Sequence, residues 1–165
     1  MMITFRKAEL KDLPAITEIY NHAVIAGEIT ATLKPVTIEE QAIWFAKHSE
    51  IRPLLVACQQ GKIIGWASLS DFYGRVAYEK TVEVSIYLAK DAQGLGLGAQ
   101  CLSELEKIGE EIGLTTFLAF IFSTNQASCH LFEKFGYQRY GFLPQVADTG
   151  DKLLDLIIFG KRFKK

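Results

Sequence analysis

The chain is expected to fold as an α+β protein, with a mixed central sheet of about seven strands and helices on both faces. Three observations carry that expectation. The hydrophobic periodicity reads in the order β-α-α-β-β-β-α-β-α-β-β, which is a layered sheet and not a bundle or sandwich. The run Thr116–Phe122 is nearly all apolar, as the buried middle of a sheet requires. Between a β-patterned run and a helical one lies Gln93-Gly94-Leu95-Gly96-Leu97-Gly98-Ala99. Three glycines at alternate positions there remove three side chains where a strand hands over to a helix.

Each element has a local reason. Ile3–Arg6 alternates as a first strand. Asp12 is placed to cap a helix with Pro14 in its first turn, followed by Leu13, Ile16, Tyr20 and Ala23 at helical spacing. Residues 27–35 read as a loop. Thr37 and Glu40 form a capping box that opens a short helix through Ile43, Trp44 and Lys47. Leu54–Cys58 and Ile63–Leu69 are strands joined by the hairpin signal Gln59-Gln60-Gly61-Lys62. An aromatic-rich loop, 70–80, leads to the strand Thr81–Leu88. After the glycine loop, Cys101, Leu105, Ile108 and Ile112 form one apolar stripe. Asn125–Phe135 is helical and stops at Gly136, a residue suited to the position just past a helix end. Tyr137–Phe142 and Leu153–Phe159 close the sheet around a polar turn, 148–152. No linker or internal repeat divides the 165 residues, so one domain over 1–165 is expected.

Composition narrows the function. A hydrophobic fraction of 49% with 11 Phe supplies an ample core, and a net charge of −1 gives no electrostatic footprint for nucleic acid. No apolar run reaches the ~20 residues that span a bilayer. Cys58, Cys101 and Cys129 are scattered and odd in number, which points to a reducing cytoplasm. His22, His48 and His130 sit on three separate helices and make no metal set, so none is expected. Cys129 and His130 are neighbours on a helix and point about 100° apart, which excludes an acyl relay between them.

The glycine loop is the chemical signal. It leaves backbone N–H groups at the positive end of a helix, where a phosphate or pyrophosphate can approach the main chain. The P-loop string G-x-x-x-x-G-K-[ST] is absent. Gly94-x-Gly96-x-x-Ala99 does fit the dinucleotide pattern, but that pattern belongs to the first βα turn with an acidic residue about 20 positions on. Here the loop lies past mid-chain, and residues 113–116 hold no carboxylate. Gln93-x-x-Gly96-x-Gly98 resembles the pyrophosphate motif of the GCN5-related N-acetyltransferases. The element order is also theirs.

A closer resemblance rests on Thr81-Val-Glu83-Val-Ser85-Ile-Tyr87-Leu88 followed by the glycine loop, on Ile19-Tyr20-Asn21-His22-Ala23, on Arg75-Val-Ala-Tyr78, on Asn125-x-x-Ser128 and on Phe135-Gly136-Tyr137. Together these resemble the phosphinothricin acetyltransferases and the related methionine sulfoximine/sulfone acetyltransferases. The resemblance implies the N-acetyltransferase fold, with two central parallel strands that splay around acetyl-CoA, and a small-molecule amine as second substrate. It implies that Gln93, Gly94, Leu95, Gly96, Leu97, Gly98 and Ala99 hold the pyrophosphate. Ile86, Tyr87 and Leu88 would pair with the pantetheine arm. Asn125 and Lys134 are further candidate cofactor contacts.

Glu83 is the candidate general base. Alternation puts Glu83, Ser85 and Tyr87 on one strand face and Val82, Val84, Ile86 and Leu88 on the other. A carboxylate within a central strand is costly unless it meets water, a partner or a ligand. Arg75, Tyr78 and Lys34 are candidates for a substrate carboxylate, with Phe72 and Tyr73 as pocket walls. The chain departs from the superfamily at Phe132, where many members carry a tyrosine and the phosphinothricin enzymes a histidine that protonates the leaving thiolate. Ser85, Tyr87 or water would then supply that proton, or CoA would leave as thiolate. Competing readings are an acetyltransferase for a peptide N-terminus or a polyamine, and a non-catalytic acyl-CoA-binding module. A polyamine site would want an acidic cleft, and only Glu83 and Glu79 offer one. A homodimer is expected from the apolar, strand-forming C-terminal half.

Overall fold

A computed structural model of the chain describes residues 2–163. The elements are β1 (Thr4–Lys7), α1 (Leu13–Ala26), α2 (Ile38–Phe45), β2 (Leu54–Gln59), β3 (Lys62–Asp71), β4 (Thr81–Leu88), α3 (Leu97–Glu111), β5 (Thr116–Phe122), α4 (Gln126–Lys134), β6 (Gln138–Asp148) and β7 (Leu153–Arg162). The strands form a seven-stranded sheet in the order β1-β2-β3-β4-β5-β7-β6. Its β4–β5 pair is parallel and the other neighbouring pairs are antiparallel.

The two faces carry separate cores. On one, Ile16 and Ile19 of α1 pack with Leu54, Val56 and Trp66, and Trp44 of α2 joins them. On the other, Leu97, Leu102 and Leu105 of α3 and Phe132 of α4 pack on Leu55, Val82, Val84, Phe117 and Phe159. The alternation of β4 is observed as expected, with Val82 and Val84 in the second core and Tyr87 against the first. Helix α3 lies unusually close to β5. A Cβ on Gly109 would stand 2.4 Å from the Phe117 ring, so only glycine lets the helix settle there.

Local chemistry behaves largely as read. Thr37 Oγ1 accepts from Glu40 N, and the Glu40 carboxylate accepts from Thr37 N, both at 3.1 Å. The β2–β3 hairpin turns on Gln60 (φ 52°) and Gly61 (φ 78°), two positive-φ residues whose twist matches the strands.

Asp12 departs from expectation. It stands at the N-cap position of α1 but does not cap that helix. Its buried carboxylate instead accepts a fork from Arg6 at 2.7 and 2.9 Å and the Glu9 N–H at 2.8 Å. The Arg6 hydrogen bonds hold it below the ordinary aspartate range. A bidentate guanidinium outbids a single backbone donor for the same oxygens. Smaller differences concern ends. Helix α2 stops at Phe45, short of Lys47, and Ile112 falls beyond α3. The last two strands run longer than their apolar stretches, because antiparallel pairing carries them past the core.

Candidate active site

The site begins where the sheet opens. Strands β4 and β5 pair only through Thr81↔Thr116, Val82↔Phe117 and Glu83↔Leu118. Beyond Glu83, each strand keeps its outer neighbour. β4 stays with β3 as far as Leu88↔Gly65, and β5 stays with β7 to Phe122↔Leu156. The inner edges therefore part, and Ser85–Leu88 is left facing Ala119–Ile121 across a cleft of about 860 Å³. Main-chain groups on such an opened edge need a partner. An amide-rich chain threaded between the strands supplies one.

The glycine loop closes one end. Gln93, Gly94, Gly96, Gly98 and Ala99 line the cleft. Gly94 and Gly96 have φ of 78° and 77°, and nothing lies within 4 Å of where their Cβ atoms would be, so the loop is an open cradle at the N-terminus of α3. Gly98 serves a different need. It is helical, and a Cβ there would meet Leu131 of α4 at 3.3 Å, so the third glycine brings α3 against α4. Leu95 and Leu97 turn their side chains away. Leu97 is buried, and both line a smaller depression behind the loop instead of the cleft.

On α4, Asn125, Ser128, Leu131, Phe132 and Lys134 line the cleft. Asn125 Oδ1 accepts from Ser128 N at 3.3 Å as the helix cap, which leaves its amide N–H₂ for a ligand. Phe132 is buried between Tyr137 and Phe159 and offers no proton. The hydroxyl-bearing side chains among the cleft-lining residues are Ser85, Tyr87 and Ser128.

Glu83 sits at the fork. It is the last β4 residue paired with β5, its side chain is half-buried, and burial raises its carboxyl above the ordinary glutamate value. Tyr87 stacks on Trp66 at 4.8 Å and meets Tyr20 edge-on at 5.1 Å. Burial raises its phenol.

The proposed amine-side residues are less convergent. Lys34, Tyr73, Arg75 and Tyr78 are exposed and do not line the cleft. Phe72 reaches it indirectly by stacking at 6.2 Å on Phe120, with Tyr73 and Tyr78 packed around it. The near wall comes instead from α1 and the loop after it: His22, Ala23, Ile25, Ala26 and Ile29. Sequence reasoning assigned these no site role, because a helical stripe looks the same whether it covers a core or a ligand. It also missed Lys90, a second lysine beside Lys134 along the cleft, and Arg52. The Arg52 guanidinium bonds Asp71 at 2.5 Å and the Glu79 carbonyl at 2.7 Å, tying both ends of the 72–78 loop.

A split pair of parallel strands with a glycine cradle at one end is a distinctive arrangement, and comparison with known proteins agrees. Residues 14–137 match the Acetyltransferase (GNAT) family. The chain belongs to that family. It is 42% identical to YwnH of Bacillus subtilis (strain 168), provisionally named a phosphinothricin acetyltransferase, over 96% of this chain and 98% of that protein. It is 37% identical to the L-methionine sulfoximine/L-methionine sulfone acetyltransferase of Pseudomonas paraeruginosa (strain DSM 24068 / PA7), over 94% and 92%. The crystal structure of a GNAT superfamily phosphinothricin acetyltransferase from Sinorhizobium meliloti in complex with AcCoA superposes with a TM-score of 0.94 at 32% identity, covering 99% of this chain and 89% of that one. The chain is thus an acetyl-CoA-dependent N-acetyltransferase by family, built on the GNAT fold.

Proposed function

We propose that the protein transfers acetyl from acetyl-CoA to the α-amine of a small amino acid of the phosphinothricin or methionine sulfoximine/sulfone type, in a direct ternary complex. The observation that carries this reading is Glu83, a half-buried carboxyl with a raised pKa, at the point where β4 and β5 divide. The names of the relatives support the substrate class.

Gln93–Ala99 fits a pyrophosphate through backbone donors, with Lys90 and Lys134 as countercharges. The free edge Ile86–Leu88 fits the pantetheine amides, and its N–H groups can donate to the oxyanion formed when the amine attacks the thioester. Acetyl-CoA supplies the activated acyl group; the chain orients the amine and manages protons. Glu83 accepts the amine proton. Ser85, Tyr87 or a water returns one to sulfur, or CoA leaves as thiolate, which a thiol pKa near that of cysteine makes tolerable. Lys34, Arg75 and Tyr78 are assigned to the substrate carboxylate, and Phe72 and Tyr73 to its flank.

The enzyme acts as one domain in the cytoplasm. It pairs as a homodimer through β6, where Tyr140, Phe142, Leu143 and Val146 are exposed. Analytical ultracentrifugation reads the dimer. A panel of methionine sulfone, methionine sulfoximine, phosphinothricin, spermidine and an N-terminal peptide, assayed by thiol release from acetyl-CoA, tests the substrate. Turnover confined to the amino acids is expected. Preference for the peptide or spermidine would overturn the assignment, and no turnover on any amine would leave a binding module.

A further inference from the structure

Four buried side-chain polar atoms lack a hydrogen-bond partner among the described residues: Thr17 Oγ1, His48 Nε2, Trp66 Nε1 and Ser68 Oγ. They fall on one side of the sheet. Trp66 belongs to the core under α1 and α2. His48 reaches Trp66 through Trp44, with ring centroids 4.7 and 5.0 Å apart. Ser68 lies two residues beyond Trp66, on the same face of β3. Thr17 is buried on α1, the helix that covers β3 and β4. Buried polar groups are paired as a rule, and an unpaired one is what ordered water satisfies.

Register ties this layer to the active site. Ser68 stands opposite Ser85, and Ser70 opposite Glu83. Ser85 and Glu83 line the cleft, while Ser68 is only 1% exposed. Ser68 is therefore the diagonal cross-strand neighbour of Glu83, one row behind it. The Cα atoms of diagonal neighbours lie roughly 7–8 Å apart, a distance that a glutamate side chain and one bridging water can span.

We propose that Ser68 is a positioning residue for Glu83, its hydroxyl holding a buried water that orients the Glu83 carboxylate toward the amine. The inference rests on Glu83 being the base. The proton passes from the substrate ammonium to Glu83 and from there to solvent through the cleft that Glu83 lines, which leaves the carboxylate for the next turnover. The ionisable groups on the same side of the sheet as Glu83 include Tyr87 on β4, His22 on α1 along the same cleft, and Tyr20 on α1, whose ring meets Tyr87.

The test is a double-mutant cycle with Ser68→Ala and Glu83→Gln, using acetyl-CoA and methionine sulfone. Ser68→Ala is expected to lower kcat about tenfold, the worth of one hydrogen bond, with KM for acetyl-CoA unchanged and the acidic limb of the pH profile displaced. In the Glu83→Gln background it should have no further effect on kcat. Thermal melting gives a second readout. Loss of a partnered hydroxyl should lower Tm by about 2–4 °C. A raised Tm with unchanged kcat would mean that Ser68 is an unpaired hydroxyl with no water, and would overturn the proposal. Additive losses in the cycle would overturn it too. If Glu83→Gln slows turnover and Ser68→Ala does not, only the Ser68 role fails. If Glu83→Gln itself leaves kcat unchanged, the base assignment fails and takes this role with it.

Discussion

Along one side of the divided sheet, Ile86–Leu88 and Gln93–Ala99 offer mostly main chain to the cleft. Along the other, His22, Ile29, Glu83 and Phe120 offer side chains, with the Phe72–Tyr78 loop stacked behind them. The first region binds through groups that every residue possesses, so its demand on sequence is negative: no Cβ at Gly94 or Gly96, no pairing of β4 with β5 beyond Glu83. The second region depends on which side chains α1, β4, β5 and two loops bring together. The difference separates a site built on the main chain from one built on side-chain identity. It also predicts opposite mutational behaviour. The cofactor side should resist truncation and fail on addition, and the amine side should fail on truncation.

The largest effect is expected from Gly96→Asp. The position lines the cleft with open space around it, so the fold should survive a residue that tolerates positive φ. A carboxylate placed in an anion cradle should abolish acetyl-CoA binding in calorimetric titration. Tight CoA binding by this variant would break the comparison at its first half.

Next is Glu83→Gln, expected to lower kcat by about 10²–10⁴-fold with cofactor affinity retained. Burial raises the Glu83 carboxyl above the ordinary glutamate value, and a base works only when deprotonated. The wild-type kcat/KM should therefore fall as pH drops through that raised value, on a limb above the ordinary glutamate range, and the variant should lose this limb. The same shift has a stability sign. A carboxyl whose folded pKa is raised favours the native state at low pH and loses that contribution as pH rises through the folded value. Glu83→Gln should therefore not lower Tm at neutral pH. A rate unchanged near neutrality would remove Glu83 from the base role.

Arg75→Ala should raise KM for methionine sulfoximine by roughly 10- to 150-fold, the worth of one charge-assisted contact of ~1.5–3 kcal/mol. Its decarboxylated analogue should be little affected. Arg75 is exposed at the start of the 3-10 turn Val76–Tyr78. Equal losses on both amines would mean that it shapes this loop without reading the acid.

The smallest effect is expected from Gln93→Ala. The cofactor side relies on backbone donors, so affinity for acetyl-CoA should weaken only a few-fold. A loss as large as that of Gly96→Asp would show that this side, too, depends on a side chain.

The sequence alone determined whatever is local in the chain. Strand and helix periods, the Thr37–Glu40 capping box, the Gln60-Gly61 turn and the glycine loop each act within a few residues, so their physics is complete before the chain folds. Resemblance then extended the reading to the splayed strands and to Glu83. Tertiary structure decided the rest. Asp12 carries a capping signal, yet a guanidinium delivered from β1 claims its carboxylate. Gly98 reads like Gly94 and Gly96 but serves the packing of α3 on Leu131. His22 and Ile29 look like parts of an ordinary helix and loop until α1 is laid along the open edge of β4. Ser68, an unremarkable serine in an apolar strand, becomes a candidate partner of Glu83 only through antiparallel register. Asp12 is claimed by a side chain six residues away, whereas Gly98, His22, Ile29 and Ser68 gain their roles from neighbours distant in sequence, and a pattern confined to adjacent residues carries no information about which distant surfaces will meet.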